Sequence, residues 1–137
     1  DFLKEIQRQG AIQKQADGRF KIAPISKAEI EIRKILELKF TVEPQFKIGS
    51  LRYDLFIKEI NLLIEYNGDY WHCNPEVYSA NYFHGKKQLT AQQIWDNDKN
   101  KRKLAEDNGY KVFTIWEKDF KINRIEILKN ILNGKRK

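Results

Sequence analysis

The sequence has no methionine, one cysteine and three prolines in 137 residues. No apolar run approaches the roughly 20 residues that a membrane-spanning helix requires, so no membrane partner is expected. The solitary Cys73 excludes an internal disulfide framework and a cysteine-rich zinc module, and it points to a reducing, intracellular setting. The opening DFLKEIQRQG lacks the apolar stretch of a signal peptide, and the start at Asp1 without a methionine predicts a fragment of a longer protein. A disordered basic tail is also excluded, because 41% of the residues are hydrophobic and 12% aromatic. What is present suits one domain. A chain of this length buries roughly two-thirds of its unfolded surface and folds without disulfides or a structural metal.

Charge is the strongest compositional signal. Lys and Arg number 26 against 19 Asp and Glu, a net +7, and such an excess favours polyanionic partners through counterion release. The charge is unevenly spread. Lys99 to Lys103 reads KNKRK, Lys86 and Lys87 lie upstream and GKRK ends the chain, whereas Asp54 to Asp69 is net acidic. A basic surface around an acidic pocket is what a metal-dependent nuclease needs; a solvated helix face with a charged tail gives the same composition.

Residues 1–25 are polar and read as an arm or linker, with the folded domain over 26–137. Pro24 and Ser26 announce a helix over 27–39 whose apolar stripe is Ala28, Ile32, Ile35 and Leu36. TVEPQFKI and LRYDLFI read as strands joined at Gly49-Ser50, and NLLIEY follows through a tight connection at Ile57 to Ile60. Residues 67–90 form a long aromatic loop, a length usually tied to function or disorder. A helix over 91–108 capped by Gly109, the strand KVFTIW and a helix over 120–132 complete the pattern. The fold class is mixed α/β, a small central sheet flanked by helices.

The hairpin carries the first candidate site. If Ile57 and Ile60 close the turn, Asp54 faces Leu63 and Glu65 lies diagonally beside it on the same face. Two carboxylates among apolar neighbours are costly to bury without a cation, and hard oxygen donors favour magnesium-like ions. The same register sets Arg52 opposite Glu65, so a plain ion pair is the alternative. Glu29 borders the first helix's buried stripe, and Ser26-Lys27-Ala28-Glu29 also reads as a capping box. Asp98 interrupts the face formed by Ile94, Lys101 and Ala105, unless that face is solvated. His72 follows Tyr70-Trp71 just past a strand end. A histidine ordinarily titrates near pH ~6.5 and can take a proton from water, or it can simply pack in its loop. His84 has no such context.

The run Asp54 … Tyr66-Asn67-Gly68-Asp69-Tyr70-Trp71-His72, followed by Asp98, Gly109-Tyr110 and Ile115-Trp116-Glu117, resembles the very short patch repair (Vsr) endonucleases of the PD-(D/E)xK superfamily. The similarity runs from about Ser26 to Phe120. It is closer still to the Vsr-related homing endonucleases with the pattern E-D-x-H-D, which falls here on Glu29, Asp54, Tyr66, His72 and Asp98. The resemblance implies a restriction-endonuclease-like core and a Mg²⁺- or Mn²⁺-dependent endonuclease acting on double-stranded DNA. Asp54 would bind the metal through its carboxylate and Tyr66 through its backbone carbonyl, with Glu65 a further ligand from the broader superfamily pattern. His72 would be the general base or water-orienting group. Glu29 and Asp98 would hold metal-bound waters or orient neighbours. Lys86, Lys87, Lys99, Lys101 and Arg102 would contact phosphates.

The chain departs from the family at two places. The zinc-ligand positions of the patch-repair enzymes hold Asp69, Asn74, Glu76 and Lys118, so no structural zinc is expected. Asn67 stands where those enzymes have histidine and other superfamily members lysine, which shifts weight onto His72. The resemblance further implies a cytoplasmic, bacterial or phage-encoded protein acting as a homodimer or with DNA-binding domains outside this fragment. A mismatch-type nicking enzyme, an RNA-directed nuclease and a non-catalytic nucleic-acid-binding module are the rival expectations.

Overall fold

The computed structural model describes residues 25–134, so all but Ile25 of the expected arm, and the last residues of the basic tail, lie outside the described residues. Ser26 starts the first helix. Its backbone is extended and its Oγ accepts the Glu29 amide at 3.1 Å, satisfying one of the donors a helix leaves open at its start. Helix α1, Lys27–Leu36, buries Ile30, Ile32 and Leu36. It stops three residues short of the expected end, and Leu38 beyond it is 82% exposed, with no surface to continue against.

Strands β1 (Val42–Ile48) and β2 (Leu51–Ile57) form an antiparallel hairpin, turning at Gly49, whose φ of +60° is a conformation glycine tolerates best. A 3₁₀ turn over Lys58–Ile60 leads to β3, Leu62–Asn67. The loop after β3 is not wholly irregular, because Phe83–His84 (β4) pairs with Leu89–Thr90 (β5) as a small second sheet. Thr90 and Gln93 form a capping box at the start of α2, Ala91–Asp107. Strand β6, Lys111–Trp116, lies parallel to β3, and α3, Glu117–Leu132, follows it directly rather than beginning at residue 120.

The main sheet has the order β1-β2-β3-β6, antiparallel on one side and parallel on the other. This is a mixed α/β domain with a small mixed sheet flanked by helices. On one face Ile32 and Leu36 of α1 and Phe120, Leu128 and Ile131 of α3 pack on Leu55, Ile57, Leu62 and Ile64. On the other, Ala105 of α2 packs with Tyr53 and Leu63, joined by Phe46, Ile48 and Leu51. A third cluster, centred on Cys73, Ala91 and Ile94, seals the long loop onto α2. Among the described residues no helix is long and apolar enough to cross a membrane.

Two features of the hairpins position the site. The β2–β3 connection is four residues rather than two, closing at Ile57 opposite Leu62, with Asn61 left-handed at φ +51°. Phe56, not Asp54, therefore faces Leu63. A slip of two residues by itself leaves the faces unchanged. In addition, Tyr53 and Leu55, which strict alternation would put on one face, pack on opposite faces of the sheet. The hairpin thus switches faces at Asp54 and at its neighbour Gln45, whose φ is +51°.

Candidate active site

The β2–β3 ladder ends at Leu55 and Ile64 although both strands continue. The next opposed positions are Asp54 and Glu65, and here side chains replace the main-chain bonds. The Asp54 amide donates to Glu65 Oε1 at 2.8 Å, and the Tyr66 amide donates to Asp54 Oδ2 at 2.7 Å. The strands fork, with one carboxylate from each in the opening. A β residue directs its N–H and C=O toward the same neighbour, so the Tyr66 carbonyl shares that opening while its ring packs on Phe120 at 6.0 Å.

Arg52 is not the partner of Glu65. It pairs with Lys47 across the hairpin, and the cation at Glu65 is Lys101, whose Nζ lies 2.7 Å from Glu65 Oε2. The Glu65 side chain is only 14% exposed, so the charge is well shielded from water. Lys101 also stands 4.8 Å over the ring of Tyr53, and the Tyr53 hydroxyl donates to the Lys101 carbonyl at 2.6 Å. Lys101 is thereby committed to the fork rather than offered to solvent with Lys99 and Arg102, which are exposed.

Glu29 reaches the same region from α1. A cleft on the α1 side of the sheet is lined by Glu29, Arg33, Gln45 and Asp54, and one on the α2 side by Glu65, Asn67, Asp98 and Lys101. Burial pushes the Glu29 carboxyl up to about 8, with Asp54 and Glu65 adding like-charge repulsion. Asp54 is pushed up to about 6 by burial and then by Glu65, against the opposing pull of the Tyr66 amide, Lys101 and His72. The sequence reading of Glu29 as a cap partner is half right: its amide is capped, while its carboxyl is held among the other acids.

His72 and Asp98, far apart in sequence, meet at 2.8 Å between Nδ1 and Oδ2, each about one-quarter exposed. The turn that carries His72 is tied down at both ends. Asn74, 2% exposed, donates to Asp69 Oδ1 at 2.8 Å, Asp69 accepts the Lys118 amide at 3.3 Å, and its own amide donates to Glu117 at 3.0 Å. Asp69, Asn74 and Lys118 thus form a hydrogen-bonded clasp between the loop and the start of α3, and the Glu76 amide joins it by donating to Asn74 Oδ1 at 3.0 Å. Lys87 is half-buried near Asp98 and Cys73, and burial lowers its ammonium below the ordinary range. Lys86 is exposed. His84 is fully buried against Tyr70 at 4.3 Å, a packing role.

Comparison with known protein families, with curated proteins and with solved structures gives no match.

The structure thus joins Asp54, Glu65 and the Tyr66 main chain by hydrogen bonds at the fork, with Glu29 beside Asp54 in the cleft on the α1 side, Glu65 and Asp98 in that on the α2 side, and His72 paired with Asp98. It leaves Lys86, Lys99 and Arg102 on the surface. The sequence reading missed the clasp and the pairing of Lys101 with Glu65, although Lys101 already lay on the helical face shared by Ile94, Asp98 and Ala105. A lysine on a partly buried stripe is a signal for an internal carboxylate.

Proposed function

We propose that the chain is the catalytic domain of a metal-dependent DNA endonuclease with a restriction-endonuclease-like core, of the homing-endonuclease type. The fork at Asp54 and Glu65 is the observation that carries this reading, together with the His72–Asp98 pair near it. The donor chemistry fits a hard divalent cation, since the opening offers two carboxylates and a backbone carbonyl. Among the described residues no group of three or more His, Cys, Asp or Glu side chains is placed to hold a metal ion. Magnesium is commonly held by one or two carboxylates, with waters and substrate phosphate filling its shell, so an open two-carboxylate site suits it. The protonation of Glu29 and Asp54 at unusually high pH marks a cluster short of positive charge.

Asp54 and Glu65, with the Tyr66 carbonyl, would hold Mg²⁺ or Mn²⁺. Such an ion, when bound, polarises a phosphoryl oxygen and makes water a better nucleophile. His72 accepts the proton at Nε2. Asp98, engaging Nδ1, fixes the ring orientation and the tautomer that leaves Nε2 free. Lys87, Lys99 and Arg102 lie on or beside the α2 side, where they would position the phosphate backbone without reading sequence. Duplex DNA is the substrate and an exposed phosphodiester the reacting group.

A supercoiled-plasmid assay in Mg²⁺ tests the reading. The wild-type chain is expected to nick or linearise the plasmid, and Asp54→Ala to abolish cleavage while salt-sensitive binding persists. Full activity in Asp54→Ala would overturn the site assignment. Binding without turnover in either metal by the wild-type chain would identify a non-catalytic binding module instead.

A further inference from the structure

The β1–β2 hairpin carries a charge arrangement that the site above does not use. Lys47 and Arg52 are directly opposed in the antiparallel register, and both are exposed. Directly opposed side chains start only about 5 Å apart, and like charges there destabilise a hairpin. Neither residue has an ion-pair partner among the described residues. A cross-strand cation pair without a counter-ion costs stability and makes sense where an anion is supplied from outside.

The direction of these side chains follows from their neighbours. Phe46, Ile48, Leu51 and Tyr53 pack toward α2, so alternation sends Lys47 and Arg52 to the opposite face. That is the face on which Glu29 and Asp54 line a cleft with α1. Lys47 and Arg52 lie two residues along the hairpin from Gln45 and Asp54, about 7 Å at the ordinary strand rise. A cationic pair therefore stands beside the acidic opening, on the side away from the basic residues of α2.

We infer that Lys47 and Arg52 form a phosphate-binding arm, which seats the backbone of duplex DNA against the hairpin as it enters the Asp54 cleft from the α1 side. The inference rests on the endonuclease reading and adds a contact surface that the basic runs of the sequence do not contain. It accounts for a like-charged pair directly opposed in the hairpin register. It also gives the DNA two contact surfaces, one on each side of the fork.

The test is fluorescence anisotropy of the 137-residue chain with a labelled 30-bp duplex of arbitrary sequence across a salt series. The double variant Lys47→Ala/Arg52→Ala is expected to lower the slope of log affinity against log salt by about 1.8, two phosphate contacts at about 0.9 each. Lys47→Glu replaces repulsion by a cross-strand ion pair. It is expected to raise the melting temperature while weakening binding by about tenfold or more, opposite directions that loss of folding cannot produce. Wild-type affinity and slope in the double variant, with a lowered slope in Lys99→Ala/Arg102→Ala, would place the DNA on the α2 side alone and overturn the inference. Absence of any salt-dependent binding by the wild-type chain would instead overturn the endonuclease reading on which it rests.

Discussion

The carboxylate cluster makes a quantitative demand on stability. In metal-free protein the Glu29 carboxyl is raised from 4.5 to about 8, which at about 1.4 kcal/mol per pH unit corresponds to about 5 kcal/mol. The Asp54 shift, from 3.8 to about 6, corresponds on the same scale to about 3 kcal/mol. Burial is the first cause of both shifts and the acids interact with one another and with Glu65, so the total for the cluster lies below the sum of about 8 kcal/mol that simple addition would give. The folded state holds these protons to higher pH than the unfolded chain does. This contribution is therefore fully present below about pH 4 and is lost as pH rises, through about 6 for Asp54 and about 8 for Glu29. Urea unfolding followed by tryptophan fluorescence in EDTA, between pH 5 and 9, should show stability falling by a few kcal/mol. Glu29→Gln, which cannot ionise, should remove most of the fall above pH 6. Added Mn²⁺ should stabilise the wild-type protein more at pH 8 than at pH 5.5, because cation and protons compete for the same oxygens. A flat profile in the wild type, or the same slope in Glu29→Gln, would refute the placement of Glu29 within the cluster.

Three further outcomes follow from single contacts. His72→Ala should lower the rate constant for plasmid nicking by about 10²-fold or more, the range for loss of a general base, and Asp98→Asn should lower it less while leaving DNA affinity unchanged; an affinity loss equal to the rate loss would argue against a proton-transfer role. Lys101→Met leaves Glu65 among other acids without its cation, and should destabilise metal-free protein by about 1–3 kcal/mol in urea melts, with part of the loss recovered in Mn²⁺. Asn74→Ala opens the clasp and exposes Asp69 to an unmet partner, at a cost of about 1–3 kcal/mol; it should also weaken the rate of nicking, because the turn it anchors carries His72, and unchanged stability would show the clasp to be dispensable.

Much of this protein was already determined by local chemistry. The order of elements follows from apolar runs of strand and helix period. The starts of α1 and α2 follow from Ser26 and from the Thr90–Gln93 pair, whose side chains satisfy amides that any helix start leaves open. Gly49 and Gly109 take positive φ where the chain had to turn. The closeness of Asp54 and Glu65 was legible too, because a slip of two residues brings them directly opposite one another; their placement on one face was not, because the hairpin switches faces at Asp54 and the two line clefts on opposite sides of the sheet.

Tertiary structure decided what those residues touch. The turn length is set by a 3₁₀ segment ending in a left-handed Asn61, which four residues allow but do not dictate, so the β2–β3 register stayed hidden, as did the true partner of Glu65. The pairing of Lys101 with Glu65, the meeting of His72 with Asp98, and the clasp from Asn74 through Asp69 to Glu117 each join segments 26 to 48 residues apart. Such contacts exist only because α2 crosses from β3 to β6 and lays one face on the sheet. The sequence alone could name the acids and the bases. Which acid met which base depended on the packing of helices on a sheet, a long-range property that no short window of residues contains.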